Sequence, residues 1–392
     1  MIRLRAVFIS DAHWVRWVSG VRVKVPVYLA PAFRRACSCM HYIGLKADAT
    51  REDPVSQLIS RRRFTLGVMA AGGMMLATRR AFAADFDLRQ FHNQPSDSPL
   101  HKRLVEMWAA VKDETQGLVQ VQTFSDNNQI AGGDPAALNM VVSGELDFFT
   151  LNGGSIGNLV PAMNVQGILF AFRTPAQVFG ALDGDLGDYL REEMKPKGLY
   201  AVPRGCFDNG FHQITCATHP IRSVDDLQGL KIRTPDAPIY VEAWKALGAA
   251  PVVANLNKLY ETLKNGTAEA QTNPLATAEF LKLYEVQKYV SLTNHGWSGF
   301  NLIANWKLWQ RFPADVQQII ERNAMKFARL QRADHETLNL EFRTKLVQQG
   351  MTFNEADTSS FRPRLASYYT RWKETVGSRA WGLLEAHVGK LA

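Results

Sequence analysis

Long apolar runs are scarce in this 392-residue chain. The run from Thr65 to Leu76 has about 12 residues, whereas a membrane-spanning helix needs about 20. It also contains Gly67, Gly72 and Gly73, so a permanent anchor is excluded, and no later run approaches spanning length. Cysteine is equally sparse. Of four, Cys37 and Cys39 fall near the N-terminus, leaving Cys206 and Cys216 for the rest of the chain. Together with His212 they offer three metal-ligating side chains, but no fourth ligand stands at a zinc-site spacing, and no metal is expected. An excess of one charge is missing as well, once the chain is divided. Residues 1–83 carry 14 Lys/Arg against 4 Asp/Glu, and residues 84–392 carry 31 against 33. The formal charge of +8 and the isoelectric point of 9.3 therefore belong to the N-terminal piece. A near-neutral remainder gives no electrostatic basis for binding nucleic acid or an anionic membrane. There is no internal repeat and no low-complexity linker.

What the N-terminal piece does contain is an address. Ser60-Arg61-Arg62-Arg63-Phe64 precedes the short apolar run, and Arg79-Arg80 and Ala81-Phe82-Ala83 follow it. A basic region, a short apolar region and an A-x-A site in that order read as an export signal. The paired arginines point to the twin-arginine route. Cleavage is expected near Ala84, giving a mature protein outside the cytoplasm, and Met40 is the expected translation start. An oxidising compartment would permit Cys206 and Cys216 to pair across Asp208-Asn209-Gly210, read here as a turn. Two free, buried cysteines fit the sequence equally well.

About 309 residues remain after cleavage, more than one core usually organises, so two domains are expected. Phe86 to His92 reads as a strand. Ser98-Pro99 opens a helix with an apolar face of Leu100, Leu104, Met107, Trp108 and Val111, which Gly117 stops. Val119 to Phe124 reads as a strand, Gly132-Gly133-Asp134-Pro135 opens a second helix, and Leu146 to Leu151 reads as the next strand. This βαβαβ order marks a wound α/β layer. A second β-rich region spans Gly198 to Cys216. Leu230 to Arg233 reads as a short strand, Pro238 to Leu247 and Tyr260 to Lys264 as helices, and Pro313 opens a long helical stretch.

Several motifs, in order, resemble the substrate-binding proteins of TRAP (tripartite ATP-independent periplasmic) transporters, the C4-dicarboxylate-binding family. They are Ser98-Pro99-Leu100-His101-Lys102, then Gln129 to Asp134 with Val142 to Asp147. Pro220-Ile221, Asp226-Leu227 and Gly229-Leu230-Lys231-Ile232-Arg233 follow, and after them Asn273-Pro274-Leu275 and Tyr284 to Tyr289. The resemblance covers nearly all of 86–385. It implies an α/β periplasmic solute-binding fold of two mixed-sheet lobes, joined by hinge strands and a long spanning helix. Approximate boundaries are 84–210 with 299–338 for one domain, and 211–298 with 339–392 for the other. It further implies an organic-acid ligand handed to membrane permease subunits, with no cofactor and no catalysis.

Arg233 ends a short apolar strand, where its fork of donors can grip a carboxylate in a cleft. An arginine so placed is ordinarily a surface or interdomain ion pair, and the resemblance is what assigns it to the ligand. Asn273, held extended by Pro274, is assigned to ligand and arginine on the same ground. His212 departs from the family, in which many relatives carry a second arginine at that place. A neutral imidazole offers one donor and no fixed charge, which points away from a doubly clamped dicarboxylate toward a monocarboxylate, hydroxy-, keto- or aromatic acid. Asn152 and Ser155 lie in a glycine loop expected at the cleft rim. Trp297 and Phe300 are expected against apolar parts of the ligand.

Two rivals stand beside this reading. Gly153-x-Ser155-x-Gly157 fits the nucleophile motif of a secreted serine hydrolase, with His295 or His335 to complete a triad. A binding protein that serves a sensor kinase fits the same residues as one that serves a permease.

Overall fold

The computed structural model describes residues 86–391, together with the backbone of an antiparallel hairpin, β1 (His13–Val18) and β2 (Val21–Pro26). The hairpin belongs to a separate compact unit, Met1–Ala77. The export signal and the Met40 start lie outside the described residues.

The first sheet of the main body begins with β3 (Phe86–His92), α1 (Pro99–Glu114), β4 (Val119–Phe124), α2 (Gly133–Ser143) and β5 (Phe148–Leu151). Both α1 and its apolar face match the sequence pattern, with Leu100, Leu104, Met107, Trp108 and Val111 all buried. Burial of each such side chain contributes roughly 1.5–3 kcal/mol. The Ser98 hydroxyl caps the helix by accepting from the His101 N–H at 3.2 Å, and Pro99 occupies the first turn, where its missing donor costs nothing. After the short α3 (Gly153–Ile156), α4 (Pro175–Leu182) and α5 (Asp185–Met194) lead into β6 (Leu199–Phe211).

At His212 the chain leaves this sheet for another. The second sheet is built from β7 (Gln213–Cys216), β8 (Lys231–Thr234), β9 (Ala250–Val253), β10 (Ala270–Asn273) and β11 (Tyr289–Leu292). Helices α6 (Pro238–Ala246), α7 (Leu259–Lys264) and α8 (Leu275–Phe280) connect its strands. The chain returns through β12 (Trp297–Asn305) and α9 (Trp306–Trp309), and α10 (Ala314–Gln348) then runs 35 residues to β13 (Thr352–Glu355). Helices α11 (Ala366–Val376) and α12 (Ser378–Val388) end the fold. The strand orders are β4-β3-β5-β12-β6 and β13-β11-β7-β10-β8-β9, both mixed.

Asp208-Asn209-Gly210 does not form the expected turn. It lies within β6, where the register with β12 jumps from Gly210–Ser298 to Asp208–Gly299, leaving Asn209 as an extra residue. This is a β-bulge, and Gly210 supplies its positive φ of 96°. The same glycine admits α10, because an added Cβ would lie 2.7 Å from His335 Nε2. Cys206 and Cys216 are both free and buried. With no turn between them, they sit in different sheets, and burial pushes the Cys206 thiol up to about 12.

The two crossings between sheets are tied to each other. His212 N–H donates to Gly296 O at 2.7 Å, and Gln213 Oε1 accepts from Thr293 and Asn294 N–H at 2.8 and 3.1 Å. Helix α10 braces both lobes. Gln331 takes both backbone groups of Asp208 at 2.7 Å, while Phe342 packs edge-on to Phe280 of α8. The C-terminal helices, expected with the second sheet, pack on both sides: α11 against α6 and residues 161–167, α12 against α4 and α5. Their apolar faces, including Tyr369, Trp372 and Trp381, join one core cluster that reaches Phe91 and Leu151 on one sheet and Ile214 and Ile232 on the other.

Candidate ligand-binding site

Arg233 is 2% exposed, one of the largest fully buried side chains. Its position follows from β8, which pairs Arg233 with Gln271 of β10 and with Val252 of β9. Nε and Nη2 donate to the carbonyl of Ala254 at 2.9 and 2.5 Å. That uses one N–H on each, so three of the five guanidinium hydrogens, including both on Nη1, have no acceptor among the described residues. No carboxylate there forms an ion pair with it. Burial lowers its pKa to about 10, with Asp134 acting in the opposite sense. At neutral pH the group is a cation held out of water without an anion.

Asn273 is buried beside it and donates to Gln271 Oε1 at 2.6 Å. Gln271 in turn donates to Thr215, and Thr215 to Gln287, at 3.0 and 2.9 Å. This buried relay fixes the Asn273 amide and leaves its carbonyl oxygen without a partner among the described residues. His212 sits at the crossing between sheets, close enough to Arg233 that the two charges would repel. Burial first, and Arg233 second, lower its pKa to about 3. The imidazole is therefore neutral, with Nδ1 bonded to Thr272 Oγ1 at 2.8 Å. Thr272 also meets His295 Nε2 at 2.6 Å, and His295 Nδ1 meets Thr293 Oγ1 at 2.7 Å. Thr272 has one hydroxyl proton for two imidazoles, so the tautomers of His212 and His295 are linked.

The glycine loop reaches the second lobe through its backbone, while its side chains stay at home. Asn152 Oδ1 accepts from Ser155 N–H at 2.9 Å and its amide donates to Ser155 Oγ at 3.1 Å, so the pair caps α3. Tyr240 of α6 presses on the loop, and a Cβ at Gly154 would lie 2.5 Å from its hydroxyl. Asn158 adds a hydrogen bond to Asp236 O at 2.8 Å. Trp297 and Phe300 do not join the site. Trp297 donates its indole N–H to Asp208 at 2.9 Å and packs edge-on to Phe172 and Phe179. Phe300 lies in the first lobe's core with Leu104, Met107 and Phe207. Both sit on β12, a strand buried along its whole length, so neither aromatic is left over for a ligand.

Sequence reasoning assigned no role to Asp134, a carboxylate near enough to Arg233 for the two charges to influence each other. Asp134, in the first turn of α2, accepts from Asn93 at 2.9 Å and from Asn127 at 2.7 Å. Desolvation raises its pKa, while the two amides and Arg233 act to lower it. Just before it, Gly132 O accepts from Asn255 Nδ2 at 3.3 Å, joining the lobes beside the Ala254 carbonyl that holds Arg233. Asp134 opens α2 and closes the motif Gln129 to Asp134, but neither position attached it to the site.

A serine hydrolase finds no support in this arrangement. Ser155 meets Asn152, His295 is taken up by Thr272 and Thr293, and His335 stands beside Gly210. Among the described residues, no group of three His, Cys, Asp or Glu is placed to hold a metal ion, and no helix is long and apolar enough to cross a membrane.

Comparison with known proteins agrees with this geometry. Residues 91–375 match the family described as bacterial extracellular solute-binding protein, family 7. A solute-binding protein of Chromohalobacter salexigens is 28% identical over 302 residues, 76% of this chain and 89% of the relative. The 2,3-diketo-L-gulonate-binding periplasmic protein of Escherichia coli is 30% identical over 57% of this chain and 66% of its own length. A solved TRAP periplasmic solute-binding protein from C. salexigens with bound D-glucuronate superposes with a TM-score of 0.73 at 26% identity, covering 78% of this chain and all of that one. One from Polaromonas bound to D-erythronate gives 0.71 at 27% identity, covering 77% and 98%. The chain thus belongs to the bacterial extracellular solute-binding proteins of family 7, the solute receptors of TRAP transporters, which bind their ligands without transforming them.

Proposed function

We propose that this receptor captures a hydroxylated monocarboxylate, a sugar acid, between its two lobes and delivers it to TRAP permease subunits. The buried guanidinium of Arg233 carries the reading: it has free donors in a fixed plane and no anion, and a carboxylate supplies what it lacks. His212 favours a single carboxylate, since its neutral ring adds no second cation. Asn273 contributes an oriented amide. Relatives and fold neighbours named for diketogulonate, glucuronate and erythronate support the class of ligand.

Binding then favours the closed form, because only there do Arg233, Asn273 and the α2 wall surround one acid. The lobes divide at His212 and between Leu292 and Trp297, and the protein reaches the periplasm through the twin-arginine pathway. A thermal-shift screen of sugar acids, simple monocarboxylates and dicarboxylates, followed by calorimetry, tests the ligand class. Stabilisation by sugar acids is expected, and a response confined to dicarboxylates or to neutral sugars would overturn it.

A further inference from the structure

Where α1 begins, the first lobe holds a pair of histidines whose protons are fixed by their neighbours. His92 ends β3 and is fully buried, and its Nδ1 accepts from the Gln94 backbone N–H at 3.3 Å. A neutral imidazole whose Nδ1 accepts carries its proton on Nε2. The contact of His92 Nε2 with His101 Nδ1 at 2.8 Å therefore runs from His92 as donor to His101 as acceptor. His101, partly exposed, then carries its own proton on Nε2.

This bond has no place for another proton. A second proton on His101 would land on Nδ1, against the His92 N–H. His92 cannot reverse its tautomer in response, because a proton on its Nδ1 would meet the Gln94 N–H. His101 also stands in the first turn of α1, with its backbone N–H held by Ser98 Oγ at 3.2 Å, where the helix dipole opposes a cation. Asp126, in the turn after β4, attracts an imidazolium at His101, and burial works against it. Asp97, just before α1, acts on Asp126. Arg103, on the same helix, is taken up by Asp334 of α10 at 2.7 Å.

The pair is tied to the candidate site through the two residues that follow His92. Gln94 is buried and donates from its side-chain amide to Asn93 Oδ1 at 2.9 Å, and Asn93 donates to Asp134 at 2.9 Å. The Gln94 carbonyl accepts from the Asp126 N–H at 3.0 Å. Segment 92–94 thus joins the histidine pair to the start of α2 and to the turn that holds Asp126.

Resting on the proposed capture of an acid between the lobes, we propose that the His92–His101 bond is a proton-operated latch. It holds segment 92–94 in the ligand-binding arrangement while His101 is neutral, and it releases that segment when His101 takes a proton. As an imidazolium, His101 turns from His92 toward Asp126, and the His92 N–H loses its acceptor. Acid then weakens binding by up to about tenfold per pH unit, starting below the ordinary histidine value of about 6.5.

The discriminating variant is His101→Asn, whose Oδ1 stands where Nδ1 accepted and does not titrate. Affinity of the mature protein for D-galactonate, itself ionised throughout, is measured by calorimetry from about pH 7.5 to about pH 5. The parent is expected to lose about tenfold or more over that span, and His101→Asn less than about threefold. His101→Leu, which offers no acceptor, should bind weakly at both ends. Parallel curves for the parent and His101→Asn would overturn the latch. Histidine and amide nitrogen shifts of the ligand-free parent provide a second reading. His92 should keep its proton on Nε2, and the Gln94 N–H should move as His101 titrates. A proton on His92 Nδ1, or a Gln94 N–H that stays still, would overturn the latch as well. Galactonate binding absent at every pH would instead remove the acid-capture reading, and the shifts would still decide the latch.

Discussion

Replacing Arg233 by methionine separates ligand binding from folding, because the two respond in opposite directions. A carboxylate seated on the free edge of the guanidinium makes two charge-assisted hydrogen bonds, each contributing about 1.5–3 kcal/mol. Loss of at least about 2 kcal/mol is expected, roughly a 30-fold weaker Kd. The unliganded protein behaves differently. Burial lowers the Arg233 pKa to about 10, well below the usual guanidinium range. A cationic group with a depressed folded pKa costs stability at every pH below that value, and relief comes only as pH rises above about 10. At neutral pH the full cost applies, on the order of 3 kcal/mol. Methionine removes it and gives up the two bonds to Ala254 O, worth about 1 kcal/mol each. The unliganded Tm should therefore hold or rise, while the ligand-induced shift disappears. Arg233→Lys should fall between, since an ammonium keeps the charge without the planar fork. Calorimetry with galactonate and melting curves with and without it are the assays. A Kd within about threefold of the parent would refute the reasoning, and so would a Tm drop of several degrees with affinity intact.

Three further outcomes follow from the same structure. Gly154→Val would bring a Cβ to 2.5 Å from the Tyr240 hydroxyl and add two methyl groups beyond it, so it should hold the lobes apart. Affinity then falls about tenfold or more and scattering shows an expanded particle even with ligand, whereas a compact liganded particle would contradict the close lobe contact. His92 and His212 each titrate near 3, chiefly through burial; the unfolded chain takes up their protons below about 6.5 and the folded one does not, so each should cost about 1.4 kcal/mol of stability per pH unit between about 6.5 and 3. Denaturant midpoints flat from pH 6.5 to 4.5, or a slope unchanged in His212→Gln, would speak against that. Arg61→Lys together with Arg62→Lys should strand the precursor in the cytoplasm, and undisturbed periplasmic yield would point to another export route.

The elements were legible where a local pattern sufficed. The apolar spacing of α1, its Ser98-Pro99 start and the glycine stops after α1, α2 and α6 each reflect interactions within a few residues. Asp208-Asn209-Gly210 misled because its composition is the same in a turn and in a bulge, and only pairing with β12 distinguishes them. Trp297 and Phe300 misled because large aromatics suit a cleft wall and a core alike. In the candidate site, Arg233 and Asn273 were marked by motifs, whereas Asn93 and Asn127 are common polar residues outside any motif, and Asp134 closes a motif that attached no role to it.

By itself, then, the amino-acid order determined the class of fold and the family, and it singled out Arg233 as a candidate, since periodicity and motif spacing are properties of neighbouring residues. Tertiary structure decided what that cation faces. Whether an arginine is solvated, paired with a carboxylate or, like Arg233, almost fully buried on the carbonyl of Ala254 depends on strands and loops distant in sequence, and no local preference encodes that encounter.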